Sequence, residues 1–257
     1  MAAITYYISS VKNELFKLKR TFAFWLTLLA SFFIPGLLFV VTLFKHKNFI
    51  PKDDSNPWDM IMQIETSIIV TVLMPFFIIL VTSLIMQVEH RSGGFKDLFS
   101  LPVPKWSIYY GKLTVVLATV LLTYLLFSIF LLTGGYISGL LFPDLNYTSF
   151  SPDYFKLFKT LGVSFVALSG VIGLQFWLSF RVKNFIVPLG IGMVLVITGL
   201  VIGNYPNDAV YFPYAYNMIT LPYINGEIEG MFLWYALGFF TLTTTVGFID
   251  ISRKNVK

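Results

Sequence analysis

Six runs of predominantly apolar residues, at 22–44, 64–86, 113–141, 158–180, 185–203 and 231–249, limit what this chain can fold into. A helix needs about 20 such residues to cross the hydrocarbon core of a bilayer, and six crossings consume about half of the chain. Only 12% of the 257 residues are charged, against about a quarter in an ordinary soluble domain, which leaves too few charges to clothe a soluble surface. The expected fold is therefore an all-α integral membrane protein, a single domain over 1–257 with six transmembrane helices. The first run lies too far from the start, and lasts too long, for the apolar core of a cleavable signal, so it reads as a retained span.

Charge gives the expected orientation. With the N-terminus inside, segments 1–21, 87–112, 181–184 and 250–257 hold 13 of the 18 Lys and Arg, and the outer segments hold five. Lys and Arg resist translocation whereas acidic residues contribute little, so both ends are expected on the cytoplasmic side. Before the first span, Ile4, Ile8, Val11, Leu15, Leu18 and Phe22 recur at three-and-four spacing, and Lys12, Glu14, Lys17, Lys19 and Arg20 keep off that stripe. The pattern predicts an interfacial helix over 4–21, its apolar stripe in the headgroup layer and its basic residues near anionic lipid; a cytoplasmic extension of the first span is the alternative reading. Segment 204–230 has no Lys or Arg but carries Tyr205, Tyr211, Phe212, Tyr214, Tyr216 and Tyr223 with three prolines. Tyrosine suits the membrane interface, and the prolines break long helices, so a short outer hairpin, re-entrant or lying on the surface, is expected before the sixth span.

Several function classes fall away on composition. The chain has no cysteine, which removes a disulfide framework, a thiolate metal site and a cysteine nucleophile. Two histidines, His46 and His90, are expected on opposite sides of the membrane and cannot pair on a metal. No G-x-x-x-x-G-K-[ST] phosphate cradle occurs, so the chain is expected to be no enzyme and to hold no cofactor of its own. The net charge of +5 marks membrane sidedness rather than a nucleic-acid partner.

The most informative stretch is the cytoplasmic loop between the second and third spans, from Glu89 to Trp106. Gly93 and Gly94 loosen the exit from the span, 95–101 can form about two helical turns, and Pro102 and Pro104 stop them. A short helix exposing Phe95, Leu98 and Phe99 suits insertion into a partner's groove; the same aromatics would also suit an interfacial loop touching lipid. Glu89, Gly93 or Gly94, Leu98, Leu101-Pro102-Val103, Lys105 and Gly111-Lys112, in that order, resemble the loop of type-2 ABC exporter permeases. The run from Asn13 to Arg20 resembles the start of the roughly 250-residue subgroup that includes lantibiotic-immunity permeases. The resemblance implies that Glu89, Gly93, Gly94, Phe95, Leu98, Phe99, Leu101 and Pro102 couple the permease to a separate ABC ATPase dimer, which binds ATP and Mg. It also implies that the permease works beside a second copy or a sister permease, in a bacterial cytoplasmic membrane. Export of a hydrophobic or amphipathic cargo, with antimicrobial peptides as the leading class, follows from the subgroup alone.

Ionisable groups inside spans usually mark ion or substrate paths. Here Glu65 is expected at the outer mouth of the second span and Asp250 at the inner end of the sixth, both shallow enough to be solvated. Glu65 and Gln175 are the candidates for a substrate path, although Gln175 also suits a bridge between helices. Pro35, Pro75 and Pro188 are expected to kink the first, second and fifth spans. His90 is expected to be a solvated loop residue. The rival functions are an ion-driven secondary transporter and a non-transporting membrane scaffold or sensor.

Overall fold

The computed structural model describes residues 2–19, 21–50, 55–92 and 103–253, and among them there are helices and connecting turns but no strand. The helices are α1 (Ala2–Leu18), α2 (Phe22–Lys45), α3 (Pro57–Ile68), α4 (Met74–Ser92), α5 (Lys105–Leu141), α6 (Tyr154–Ala167), α7 (Ser169–Arg181), α8 (Ile186–Ile202), α9 (Pro206–Ala209), α10 (Tyr216–Ile224) and α11 (Met231–Arg253). Four continuous helical stretches are long and apolar enough to cross a membrane: Phe22–Phe49, Pro57–Arg91, Lys105–Leu141 and Met231–Arg253. A fifth arises if α6 and α7, bent by 42° at their junction, count as one crossing. The remaining apolar helix, α8, has 17 residues.

The expected spans therefore differ from the helices in ways that have physical causes. The second run lies within a longer rod because Asn56 caps α3: its side chain accepts from the Trp58 amide, and Pro57 occupies the first turn, where a missing N–H costs nothing. Between α3 and α4 the rod widens into one π turn, Ile69–Leu73. Pro75 explains it, since proline cannot donate to the carbonyl four residues back and its ring crowds that carbonyl. The carbonyl in question belongs to Thr71, and it accepts instead from the Asn217 side-chain amide of α10. Pro188 behaves differently from expectation. It sits in the first turn of α8, where its missing N–H has no intrahelical partner to lose, so it leaves the helix uninterrupted.

Two close approaches fix the end of the bundle that carries the aromatic hairpin. The Trp58 ring lies against Gly135 of α5, where a Cβ would come within 2.5 Å of it. Its indole N–H donates to the Tyr147 and Phe150 carbonyls at 3.0 and 3.1 Å. The segment 204–230 does form short helices, and of the two forms expected it is not the surface-lying one: it packs into the bundle, with Tyr214, Tyr216, Asn217 and Ile219 buried. At Gly199 of α8 a Cβ would stand 2.1 Å from the Tyr214 carbonyl oxygen, so the hairpin backbone rests directly on that glycine.

At the other end, α1 lies along α5. Tyr7 stacks on Trp106 and its hydroxyl donates to Thr114 Oγ1, while Ser10 fills the space left by Gly111. Of the predicted apolar stripe, Ile4, Ile8 and Leu15 are exposed, as a helix lying on a lipid surface requires, while Val11 and Leu18 are half-buried and Leu18 packs on the core.

Candidate functional site

Docking α1 on α5 buries Glu14, which the sequence groups with charges outside the apolar stripe. It reaches a site that periodicity does not reveal. Four ionised side chains from three helices close a ring of alternating charge: Glu14 and Lys17 of α1, Glu89 near the end of α4, and Lys112 two turns into α5. Lys112 Nζ is 2.6 Å from Glu14 Oε2 and 3.1 Å from Glu89 Oε1. Lys17 Nζ is 2.6 Å from Glu89 Oε1 and 3.2 Å from Glu14 Oε1. The Lys112 side chain is wholly buried, the two carboxylates are nearly so, and Lys17 is 40% exposed.

The arithmetic of charge explains why such a site is tolerable. Taking a single ammonium out of water costs several kcal/mol, and only good geometry with opposite charge returns it. Here two ammoniums face two carboxylates, and each ammonium reaches both. Partial burial alone would lower the Lys17 pKa, but the hydrogen bond to Glu89 and the charges of Glu14 and Glu89 outweigh it, so the net direction is up.

The ring stands at the roots of segment 93–102. Of the residues expected to couple to a partner, Glu89 is described and belongs to the ring. Gly93, Gly94, Phe95, Leu98, Phe99, Leu101 and Pro102, and with them the expected helix over 95–101, lie outside the described residues. Further bonds tie the same roots to other helices. His90 is not a solvated loop residue: it is in the last turns of α4, and its Nε2–H donates to the Ser179 carbonyl of α7 at 3.0 Å. Lys105, the first residue of α5, donates to the Ser252 carbonyl at 3.0 Å, a favourable place for a cation at the C-terminal end of α11. Next to it Asp250 pairs with Arg181 and accepts from the Trp177 indole at 3.2 Å.

The two polar residues proposed for a substrate path have separate surroundings. Glu65 is 2% exposed, which corrects the expectation of a solvated mouth. The helix begins at Pro57, so Glu65 shares one buried face with Trp58, Ile61 and Met62, and among the described residues its Oε2 has no hydrogen-bond partner. Gln175 is fully buried; its amide donates to the Pro188 carbonyl at 2.7 Å and joins α7 to α8. The Tyr214 hydroxyl lies 3.5 Å from its Oε1.

Glu14, Lys17 and Lys112 are the members of the site that sequence reading missed as functional residues. Their signals were a Glu–Lys pair three residues apart on α1, and a lysine directly after Gly111 at the entry to a long apolar helix. A lysine there needs a countercharge, but the sequence does not say from where.

Among the described residues no cluster of His, Cys, Asp and Glu could hold a metal ion. Comparison with curated proteins returns no match, and neither does comparison with solved structures. One family does match, described as ABC-2 family transporter protein, over residues 10–199. That span takes in all four charges of the ring and the segment between its roots, and covers most of the chain, which therefore belongs to the ABC-2 transporter family of multi-pass membrane permeases.

Proposed function

We propose that this chain is the transmembrane permease subunit of an ATP-driven exporter for a hydrophobic or amphipathic substrate. Membership of the family implies a membrane setting and an ATPase on a separate subunit. The finer reading rests on one observation: both roots of segment 93–102 are fastened to α1, α7 and α11 by buried charges and side-chain-to-carbonyl hydrogen bonds. A loop anchored in this way delivers force to the bundle rather than absorbing it.

In this reading α2, the α3–α4 rod, α5, the α6–α7 pair, α8 and α11 are the six spans of a single permease domain. Both ends face the bacterial cytoplasm, and 95–101 docks in a groove of an ABC ATPase dimer. Two permeases, identical or sister chains, would line the path. ATP binding would close the ATPases, and the loop would carry that motion into the spans. Glu65, buried with an oxygen free to accept, is the better of the two path candidates, because the Gln175 amide already holds two helices together. Export of antimicrobial peptides is the cargo assignment proposed here, supported by the resemblance of the run from Asn13 to Arg20.

Co-purification with an ABC ATPase subunit, followed by Phe95→Ala plus Phe99→Ala, tests the docking step. Loss of the complex, together with loss of ATP-dependent movement of a cationic amphipathic peptide in proteoliposomes, is expected. Failure of the wild-type chain to bind an ATPase would refute it. The buried carboxyl of Glu65 beside a π turn favours the ion-driven alternative, since π turns recur at functional sites. Gradient-driven uptake without any ATPase, abolished by Glu65→Gln, would establish that reading instead.

A further inference from the structure

We infer that the cavity between α3, α6 and α10 is a binding site for a primary alkylammonium group, the chemistry of a lysine side chain. This deepens the export reading, on which it rests for the cargo but not for the site.

The three helices enclose a cavity of about 200 Å³ at the hairpin end of the bundle. An apolar cavity of about 150 Å³ is enough for a benzene molecule, so this one has room for a flexible chain of four methylenes and an ammonium. Its rim is exposed: Asp59 in the first turn of α3, Lys156 in the first turn of α6 and Asn225 just past the end of α10. Ser67 stands eight residues beyond Asp59, about 12 Å deeper along α3. Met62, Thr66, Leu157 and Thr160 are buried, so the cavity runs from solvent into the bundle.

Walls and floor offer different chemistry. Met62, Leu157, Leu221 and Ile224 give apolar surface for methylenes to lie on. Thr66, Ser67 and Thr160 bring hydroxyls, but each has already given its proton to its own helix. Thr66 donates to the Met62 carbonyl at 2.6 Å, Ser67 to that of Gln63, and Thr160 to that of Lys156 at 2.8 Å. A hydroxyl has one proton and two lone pairs, so what these three present to an occupant is acceptors. At the rim the Asn225 amide N–H is turned toward Glu227 at 3.4 Å, and Asp59 adds a carboxylate. An anionic occupant would set oxygen against oxygen, whereas an ammonium carries three donors and no acceptor. Among the described lining residues Lys156 alone is cationic, and its place on the rim leaves the floor to the acceptors.

A second observation points the same way. Asn217 lies one turn from Leu221 on the stripe of α10 that lines the cavity, and Thr71 lies one turn beyond Ser67. The Asn217 amide N–H donates to the Thr71 carbonyl. Its Oδ1 is fully buried and, among the described residues, has no hydrogen-bond partner. A buried acceptor left without a donor is a costly state, and a donor brought down the cavity approaches it. On the topology proposed above, this end faces outward, the side on which an exporter hands over its cargo.

The chain has no cysteine, so Ser67→Cys in the purified full-length protein places a single thiol at the floor. The cationic reagent 2-aminoethyl methanethiosulfonate should modify it about tenfold faster than the 2-sulfonatoethyl reagent, once each rate is divided by that at the exposed Ser149→Cys. n-Butylammonium should protect the thiol. n-Butanol, which lacks the charge, and tetramethylammonium, which lacks an N–H, should not. Asp59→Asn and Thr160→Val should raise the half-protecting concentration of n-butylammonium about tenfold and about fivefold, and Lys156→Gln should lower it. Where Ser67→Cys does not fold, Gln63→Cys carries the same readout.

Equal protection by n-butanol or tetramethylammonium, or none by n-butylammonium, overturns the site. In proteoliposomes with the ATPase, Asp59→Asn plus Thr160→Val should slow ATP-dependent movement of a lysine-containing amphipathic peptide about fivefold, with ATPase binding retained. Unchanged movement overturns the role toward cargo. If the wild-type chain binds no ATPase, the export reading fails, and protection on the purified chain still decides the site.

Discussion

Where α1 meets the roots of α4 and α5, three helices converge on four charges; where the hairpin meets α8 and the π turn, helices converge on glycines, aromatic rings and backbone carbonyls. Both ends bury polar groups, and both bring together residues more than 70 positions apart. They differ in what must match. At the α1 end the ammoniums and carboxylates must balance, while the side chains themselves have some reach. At the hairpin end Gly199 leaves the Tyr214 carbonyl no room for a methyl group, and the Trp58 indole has one pair of carbonyls within reach. The first end answers to charge and the second to size.

That contrast can be broken by experiment, and the largest effect belongs to the charged end. Lys112→Met keeps the length of the side chain but removes a buried ammonium facing two carboxylates. Breaking such a pair costs about 3–5 kcal/mol, measurable as a lower unfolding midpoint in detergent; a loss under about 1 kcal/mol would show that water reaches the ring. Gly199→Ala comes next. The overpacking should cost about 1–3 kcal/mol and should expose the hairpin to protease while leaving exchange in α1 unchanged. If α1 loosens as well, the two ends are not independent. Trp58→Phe keeps the ring against Gly135 but removes the indole donor, for about 1 kcal/mol. Asp250→Asn tests charge at an exposed pair near the same end as the ring. Because Arg181 and Asp250 are both partly open to solvent, the change should stay within about 1 kcal/mol, which separates buried from exposed charge.

The smallest effect is one of pH. The Lys17 pKa is raised in the folded chain from an ordinary 10.5, so its contribution is fully present below pH 10.5 and is lost as pH rises through the higher folded value. Amide exchange in α1, corrected for its intrinsic pH dependence, should be flat between pH 7 and pH 10 and rise only above that window.

How far the sequence goes toward this picture depends on the element. α2, α5 and α11 are legible because an unbroken apolar run of their length has few other folds. The six-residue stripe predicted for α1 is outward only in part: Ile4, Ile8 and Leu15 are exposed, whereas Val11 and Leu18 are half-buried and Leu18 packs on the core, because α1 docks on the bundle along that side. The opposite face is not legible. Glu14 looks like one more surface charge until Lys112, 98 residues away, is placed beside it. Pro75 signals a disturbed helix, but not that the disturbance is a π turn or that Asn217 takes the freed carbonyl. The bend between α6 and α7 has no proline, and the run 158–180 reads as continuous. Of the coupling residues suggested by resemblance, Glu89 alone falls within the described residues.

The 37 residues of α5 make a rod of about 55 Å, well beyond the ~30 Å a bilayer core occupies. Lys112 lies near one end, and Gly135 and Gly139, on which Trp58 and Tyr147 are seated, lie near the other. A stiff rod pivoting near its middle is a lever: a tilt of about 10° carries each tip about 5 Å, in opposite directions. Small rotation on one side of the membrane thereby becomes displacement of atomic-contact size on the other, with no signal passed from residue to residue in between.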